Sequence, residues 1–308
     1  MTQSEVAILL CTYNGQNYLT EQLQSIADQT HTNWLVWASD DGSSDDTLPL
    51  LEAWRRKWGE PRLHMVEGPA RGFSANFLSL ACRSDISADY FAFSDQDDIW
   101  EKDKLERALS WIETIPKDTP ALYCSRTCII DRIGRQVGLS PLFSRPPSFR
   151  NALVQSIGGG NTMVFNEAAR ELLMLVGADV PVVTHDWWAY MLVTGCGGVV
   201  NYDPRPTLRY RQHGHNVIGV NSGWRARLKR LRMLWQGRFR EWNDGNILAL
   251  MKVEQHLAPE EREVFQRFVR LRDSPALPRL LQMRELGLYR QTVLGNLGLA
   301  VATLFGKL

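Results

Sequence analysis

The sequence predicts an α/β protein on a mostly parallel sheet, with a helical, basic, amphipathic extension at its C-terminal end. Three observations carry this. Short apolar runs alternate with helix-period segments over residues 6–115. Each apolar run but one stops at a polar cluster rich in Asp, Asn, Gly or Ser. Charge is also segregated. The 308 residues hold 35 Lys+Arg and 34 Asp+Glu, yet residues 221–308 hold 16 of the bases and 8 of the acids. Residues 1–220 keep the other 19 and 26, so a part near −7 precedes a part near +8. The division predicted is 1–220 and 221–308.

Residues 6–10 form an apolar run ended by Thr-Tyr-Asn-Gly, a strand and its turn. Tyr18, Leu19, Leu23, Ile26 and Ala27 then fall at helical spacing. Residues 35–39 read as a second strand, stopped by Asp40-Asp41-Gly42-Ser43, and Thr47–Trp58 as a helix. Residues 64–66 make a third strand and Phe73–Ala81 a helix. Tyr90–Ser94 is a fourth strand, ended by Asp95-Gln96-Asp97-Asp98, and 103–115 a helix opened by an acid. Strands joined through helices pair in parallel and are covered on both faces. Ligands of such sheets bind beyond the carboxyl ends of the strands. A later strand is expected at 207–210, and prolines at 141, 146 and 147 mark a loop.

Composition narrows the class. Balanced charge with 44% hydrophobic residues excludes a disordered chain. Five scattered cysteines without a CxxC pair argue against a disulfide scaffold or structural zinc, and for a reducing compartment. The polar start lacks a basic leader segment, and the apolar stretch at 293–305 falls short of the ~20 residues that span a bilayer. A dinucleotide oxidoreductase requires GxGxxG after the first strand, where Cys-Thr-Tyr-Asn-Gly-Gln stands instead.

Four clusters bear chemistry. Thr12-Tyr13-Asn14-Gly15 and Asp40-Asp41-Gly42-Ser43 offer carboxylates that can accept from a base N–H or a ribose hydroxyl. The same residues also suit turns and caps. Asp95-Gln96-Asp97-Asp98 sets three acids within four residues, a repulsion best relieved by a hard divalent cation, Mn²⁺ or Mg²⁺. Asp186 opens a helix between His185 and the pair Trp187-Trp188. It is a candidate base beside a bulky-walled pocket, or a cap. Arg211-Gln212-His213-Gly214-His215 offers a guanidinium for phosphate and imidazoles for a metal.

The order of these motifs resembles the inverting family 2 glycosyltransferases with the GT-A fold. The resemblance covers roughly residues 5–220. It rests on VAILLCTYN (6–14), DDGSSDD (40–46), GPARGFSANF (68–77), FSDQDDIW (93–100), GNTMVFN (160–166) and HDWW (185–188). With YRQHGHNVIG (210–219), the chain is most similar to bacterial rhamnosyltransferases of surface-polysaccharide assembly.

The resemblance implies a nucleotide-sugar site bordered by Cys11, Thr12, Asn14, Gly72, Asn76, Asp95, Gln96, Arg211 and His213, with Asp41 reading the base. It places a divalent metal on Asp97, supported by Asp98 and His213. Asp186 becomes the catalytic base, with His185, Trp187 and Trp188 around the acceptor. It implies dTDP-rhamnose as donor and a lipid-linked or oligosaccharide acceptor, as in O-antigen or capsule synthesis. The alternative is a non-catalytic relative that binds a sugar nucleotide or a partner. The run Gly158-Gly159-Gly160 is richer in glycine than the family pattern, which predicts a mobile loop ahead of the acceptor pocket.

Residues 224–240 carry seven bases and no acid. Trp224, Leu228, Leu231, Trp235, Phe239 and Trp242 recur at i, i+3/i+4 and share one helical face, with Arg225, Lys229 and Arg232 on the remaining arc. This pattern suits an anionic membrane surface, each base adding ~1 kcal/mol. It also suits a helix packed on the catalytic part. No nucleic-acid-binding motif accompanies the charge. The expected location is the cytoplasmic face of the inner membrane, as a peripheral protein. A second helix is expected from Ala258 to about Arg272, broken by Pro275 and Pro278.

Overall fold

The computed structural model describes residues 3–212 and 238–308. Its centre is a seven-stranded sheet in the order β10-β6-β9-β4-β1-β2-β3. The four strands expected from the sequence are β1 (Val6–Thr12), β2 (Trp34–Asp40), β3 (Leu63–Glu67) and β4 (Tyr90–Ser94), all parallel. Their connecting helices are α1 (Leu19–Ala27), α2 (Thr47–Trp58) and α3 (Phe73–Ala81). Every β1 side chain is buried, which is why residues 6–10 are apolar without alternation. The strand nevertheless runs on through Cys11 and Thr12, whose polar side chains did not advertise it.

Residues 116–203, mostly unassigned from sequence, supply the other half. β6 (Ala121–Ser125) and β10 (Val199–Asp203) are parallel to each other. Between β6 and β4 lies β9 (Val164–Asn166), antiparallel to both. At three residues it is too short to show periodicity. α4 (Lys104–Ile112), α5 (Phe149–Ala152), α6 (Glu167–Val176) and α7 (His185–Gly195) flank the sheet. A small second sheet orders β5 (Ile99–Trp100), β11 (Leu208–Arg211), β7 (Cys128–Ile130) and β8 (Gln136–Leu139).

Four helices end the chain: α8 (Arg238–Met251), α9 (Pro259–Leu271), α10 (Ala276–Glu285) and α11 (Val293–Leu304). Pro278 does not break a helix. It stands in the first turn of α10, where its missing N–H has no intrahelical partner to lose. Phe239, Ile247, Leu250, Phe265, Phe268 and Leu286 join Phe149, Leu153, Trp188 and Leu192 in one apolar core. That core crosses the division drawn at 220/221. Among the described residues no helix is long and apolar enough to cross a membrane.

Candidate active site

Pairing aligns the carboxyl ends of β1, β2 and β4, since Thr12 lies opposite Asp40 and Leu10 opposite Ser94. The loops after these strands therefore share one edge. Because β9 runs antiparallel, the turn before it (Gly160–Thr162) arrives at that same edge. α7 starts there too, with Gly160 against His185.

On the first side, Asp40 shapes its own loop. Its carboxylate accepts from Thr12 Oγ1 at 2.7 Å, Ser43 Oγ at 2.6 Å and Ser43 N at 2.7 Å. Asp41 accepts from the amides of Ala70 (2.7 Å) and Gly72 (2.8 Å), holding the 68–72 loop and leaving a second lone pair on each oxygen. Asn14, at φ 49°, accepts from Ser44 N at 2.9 Å. Cys11 lies close to Asp41 and Asp95. Burial first, then those two charges, push its thiol well up, so it stays neutral.

Two residues assigned to the nucleotide are engaged elsewhere. The Gln96 amide accepts from Tyr13 N and donates to Tyr13 O, both at 2.9 Å. Asn76 is buried, accepting from Ser39 Oγ (2.5 Å) and donating to Ser39 O (3.0 Å). Both amides hold strand ends rather than pointing into the cleft.

Asp95, Asp97 and Asp98 each offer an oxygen, and the three lie within 4.8 Å of one another. Three hard donors this close fit a divalent cation. Burial, then Asp97 and Asp186, push Asp95 up to about 7, with Lys104 opposing. Asp98 is wholly buried, accepting from Asn161 Nδ2 at 2.5 Å and Arg211 N at 3.3 Å. Burial and the charges of Asp97 and Asp95 raise its carboxyl far above the usual range. Asp98 thus supports the cluster from beneath.

Lys104 was missed by sequence reading. It is wholly buried, donates to Asn161 O at 2.6 Å and lies 3.4 Å from the Trp100 ring centre. Burial draws its ammonium well below its ordinary value, while Asp98 and Asp95 hold it up. Nothing distinguishes it in sequence from a solvated lysine at a helix start. Asn161, within a motif already recognised, carries no charge to draw attention.

Asp186 stands in the first turn of α7 and accepts from Trp187 N at 2.7 Å. Burial raises its carboxyl, opposed by Thr184 and by the amides of Trp187 and Gly160. Its charge reaches Asp95, so the structure brings this carboxylate to the edge that carries the acidic loop.

The neighbours of Asp186 require correction. Ten of the eleven α7 residues are buried, as expected of a helix apolar all round. Trp188 is fully enclosed in the core. Trp187 is pinned by its indole N–H to Ala152 O at 2.6 Å. His185 stacks on Phe77 at 4.0 Å, and burial lowers it to about 3, so it stays neutral. None of the three lines an open acceptor pocket. The glycine run makes a close approach to its neighbours. A Cβ on Gly160 would sit 2.2 Å from His185 Nε2, and one on Gly159 2.6 Å from Asn161 Oδ1.

Arg211 does not face a phosphate either. Its buried guanidinium donates to Glu21 (2.7 Å), Asp97 O (3.1 Å) and Arg132 O (3.1 Å), bracing the acidic loop. His213, His215, Trp224, Arg225, Leu228, Lys229, Leu231, Arg232 and Trp235 lie outside the described residues. The described end of the aromatic stripe, Phe239 and Trp242, packs on the protein core.

A doubly covered sheet of this order, with an acidic cluster at its carboxyl edge and a further carboxylate opposite, defines a GT-A glycosyltransferase. Solved structures share the fold. S. aureus TarS 1–349 with UDP-GlcNAc superposes at TM-score 0.54, 16% identical, over 92% of this chain and 88% of that one. The mannosyltransferase PcManGT of Pyrobaculum calidifontis, with GDP-Man and Mn²⁺, superposes at 0.52, 17% identical, over 100% and 86%. The glycosyl transferase family 2 model matches residues 7–173, and the chain belongs to that family. It is 29% identical over 239 residues to the dTDP-rhamnosyl transferase RfbG of Shigella flexneri, covering 72% of this chain and 78% of that one.

Proposed function

We propose that this glycosyltransferase moves L-rhamnose from dTDP-rhamnose, with inversion, onto a lipid-linked or oligosaccharide acceptor of a surface polysaccharide. The observation that carries the reading is the meeting of Asp186 with Asp95, Asp97 and Asp98 at one sheet edge. Similarity to a dTDP-rhamnosyl transferase supports the donor.

Asp97 and Asp95 would hold a divalent metal, Mn²⁺ or Mg²⁺, with Asp98 supporting them from below. Such an ion, when bound, neutralises negative charge gathering on a diphosphate leaving group. Cys11, Thr12, Asn14 and the Asp41 loop border the nucleoside, partly through backbone groups. Asp186 accepts the proton of the attacking acceptor hydroxyl, which approaches opposite the departing diphosphate. Amides from Trp187 and Gly160 aim its carboxylate, and its raised affinity for protons strengthens it as a base. Attack from the opposite face inverts the anomeric carbon in one displacement, without a covalent nucleophile. Residues 1–220 form the catalytic part, and residues 221–308 bring it to the cytoplasmic face of the inner membrane.

Asp186→Asn tests the assignment. It keeps donor binding by calorimetry and loses about 10²–10⁴-fold in turnover. A variant transferring sugar at the parental rate sinks Asp186 as the base. Titrating nucleotide sugars by thermal shift with Mn²⁺ tests the donor, since a ligand at a hundredfold its Kd stabilises by ~2.7 kcal/mol. A shift with another nucleotide sugar, and none with dTDP-rhamnose, overturns the rhamnosyl reading.

A further inference from the structure

An ordinary surface helix turns its apolar side inward, and α11 does the reverse. From Val293 to Leu304 it contains no charged residue. Leu299, Ala302 and Thr303 face the protein. Val293 (79% exposed), Leu294 (64%), Leu297 (59%), Val301, Leu304 and the following Phe305 face outward. At 100° per residue these six fall within about 120° of arc, one continuous apolar face. The adjoining α10 adds Leu277 and Leu281, 70% and 63% exposed. A helix face of six exposed apolar side chains marks an interaction surface.

Charge selects the occupant. Arg240 at the start of α8 donates to Gly306 O, just past the end of α11. Arg240 and Arg238, both exposed, thus put positive charge at that end of the apolar face. Exposed Arg284 stands on the outer side of α10 near Leu277 and Leu281. Its neighbour Glu285 is paired with Arg267 at 3.5 Å. A 12-residue helix is about 18 Å long, too short to cross the ~30 Å hydrocarbon core but suited to lying in its surface. An apolar face with a basic border fits an anionic bilayer.

We propose that the outer face of α10 and α11 inserts shallowly into an anionic membrane, as a docking surface distinct from the Trp224–Trp235 stripe. This refines the membrane part of the reading above, but its test uses neither donor nor acceptor. Failure of docking is thus separable from failure of rhamnosyl transfer.

The experiment is flotation of the full chain with phosphatidylcholine vesicles, with and without phosphatidylglycerol. Leu294→Glu/Leu297→Glu is compared with parent, its fold checked by circular dichroism. Both positions are exposed, so the fold is retained. Trp224→Ala/Trp235→Ala is run beside it, and each protein is sized without lipid. The expected result is parental binding that needs phosphatidylglycerol, falling about tenfold or more in the Leu294/Leu297 variant. Unchanged flotation of that variant overturns the proposal, as does binding lost only in the tryptophan variant. So does a lipid-free dimer that the glutamates dissociate while vesicles bind neither protein. That outcome gives the face to a second copy of the chain.

Discussion

Replacing Lys104 by methionine keeps most of the side chain's length and removes its charge. The ammonium is buried at 0% exposure, 2.6 Å from Asn161 O, in the field of Asp95 and Asp98. Without it, three acids within 4.8 Å lose an internal counter-charge. Removing one partner of a buried charge pair costs about 3–5 kcal/mol. At roughly 2 °C per kcal/mol for a chain of this size, the unfolding midpoint drops by about 6–10 °C. The measurement is thermal unfolding at pH 8 in chelator, where Asp95 is ionised. Mn²⁺ supplies external positive charge and recovers part of the loss. Asp98→Asn in the Lys104→Met background removes the charge left unpaired, so the double variant is more stable than the sum of the single losses. A single-variant loss under ~1 kcal/mol in chelator, with additive behaviour in the double, refutes the reasoning.

Asp95 makes metal-free stability depend on pH. Its folded value of about 7 lies above the ordinary 3.8, so the fold retains a proton that the unfolded chain releases. Stability is fully present below pH ~4 and lost as pH rises through about 7, a slope that Asp95→Asn flattens in chelator. Asp97→Ala weakens nucleotide binding by calorimetry in Mn²⁺ and changes it little in chelator. Equal weakening in both would remove Asp97 from the metal. Gly160→Ala places a Cβ 2.2 Å from His185 Nε2 and displaces the amide that aims Asp186. It costs about 1–3 kcal/mol of stability and lowers turnover, with donor affinity unchanged. Unchanged turnover in a folded variant dismisses that amide.

The first half of the fold was legible because β1, β2 and β4 are central strands whose apolar runs end at polar clusters. The edge pieces were not. β5 has two residues and β8 is mostly exposed, so neither shows a period. Asp95, Asp97 and Asp186 declared themselves through charge at strand and helix ends. The surroundings of Asp186 did not, because HDWW reads equally as pocket wall and as buried helix. Only packing shows Trp188 enclosed and His185 stacked on Phe77. Arg211 was read as the start of a loop but ends β11 and braces carbonyls, since sequence spacing cannot tell a guanidinium that binds ligand from one that holds backbone.

The antiparallel insertion of β9 has a consequence for how the sheet is joined. It joins β4 to β6 through few residue pairs, and to one side stands the acidic loop that would grip the donor. To the other side stand β6 and β10, parallel to each other. The family model ends at residue 173, shortly past this strand. β9 is therefore a seam. One three-residue antiparallel strand separates two blocks whose parallel pairing is set independently on either side.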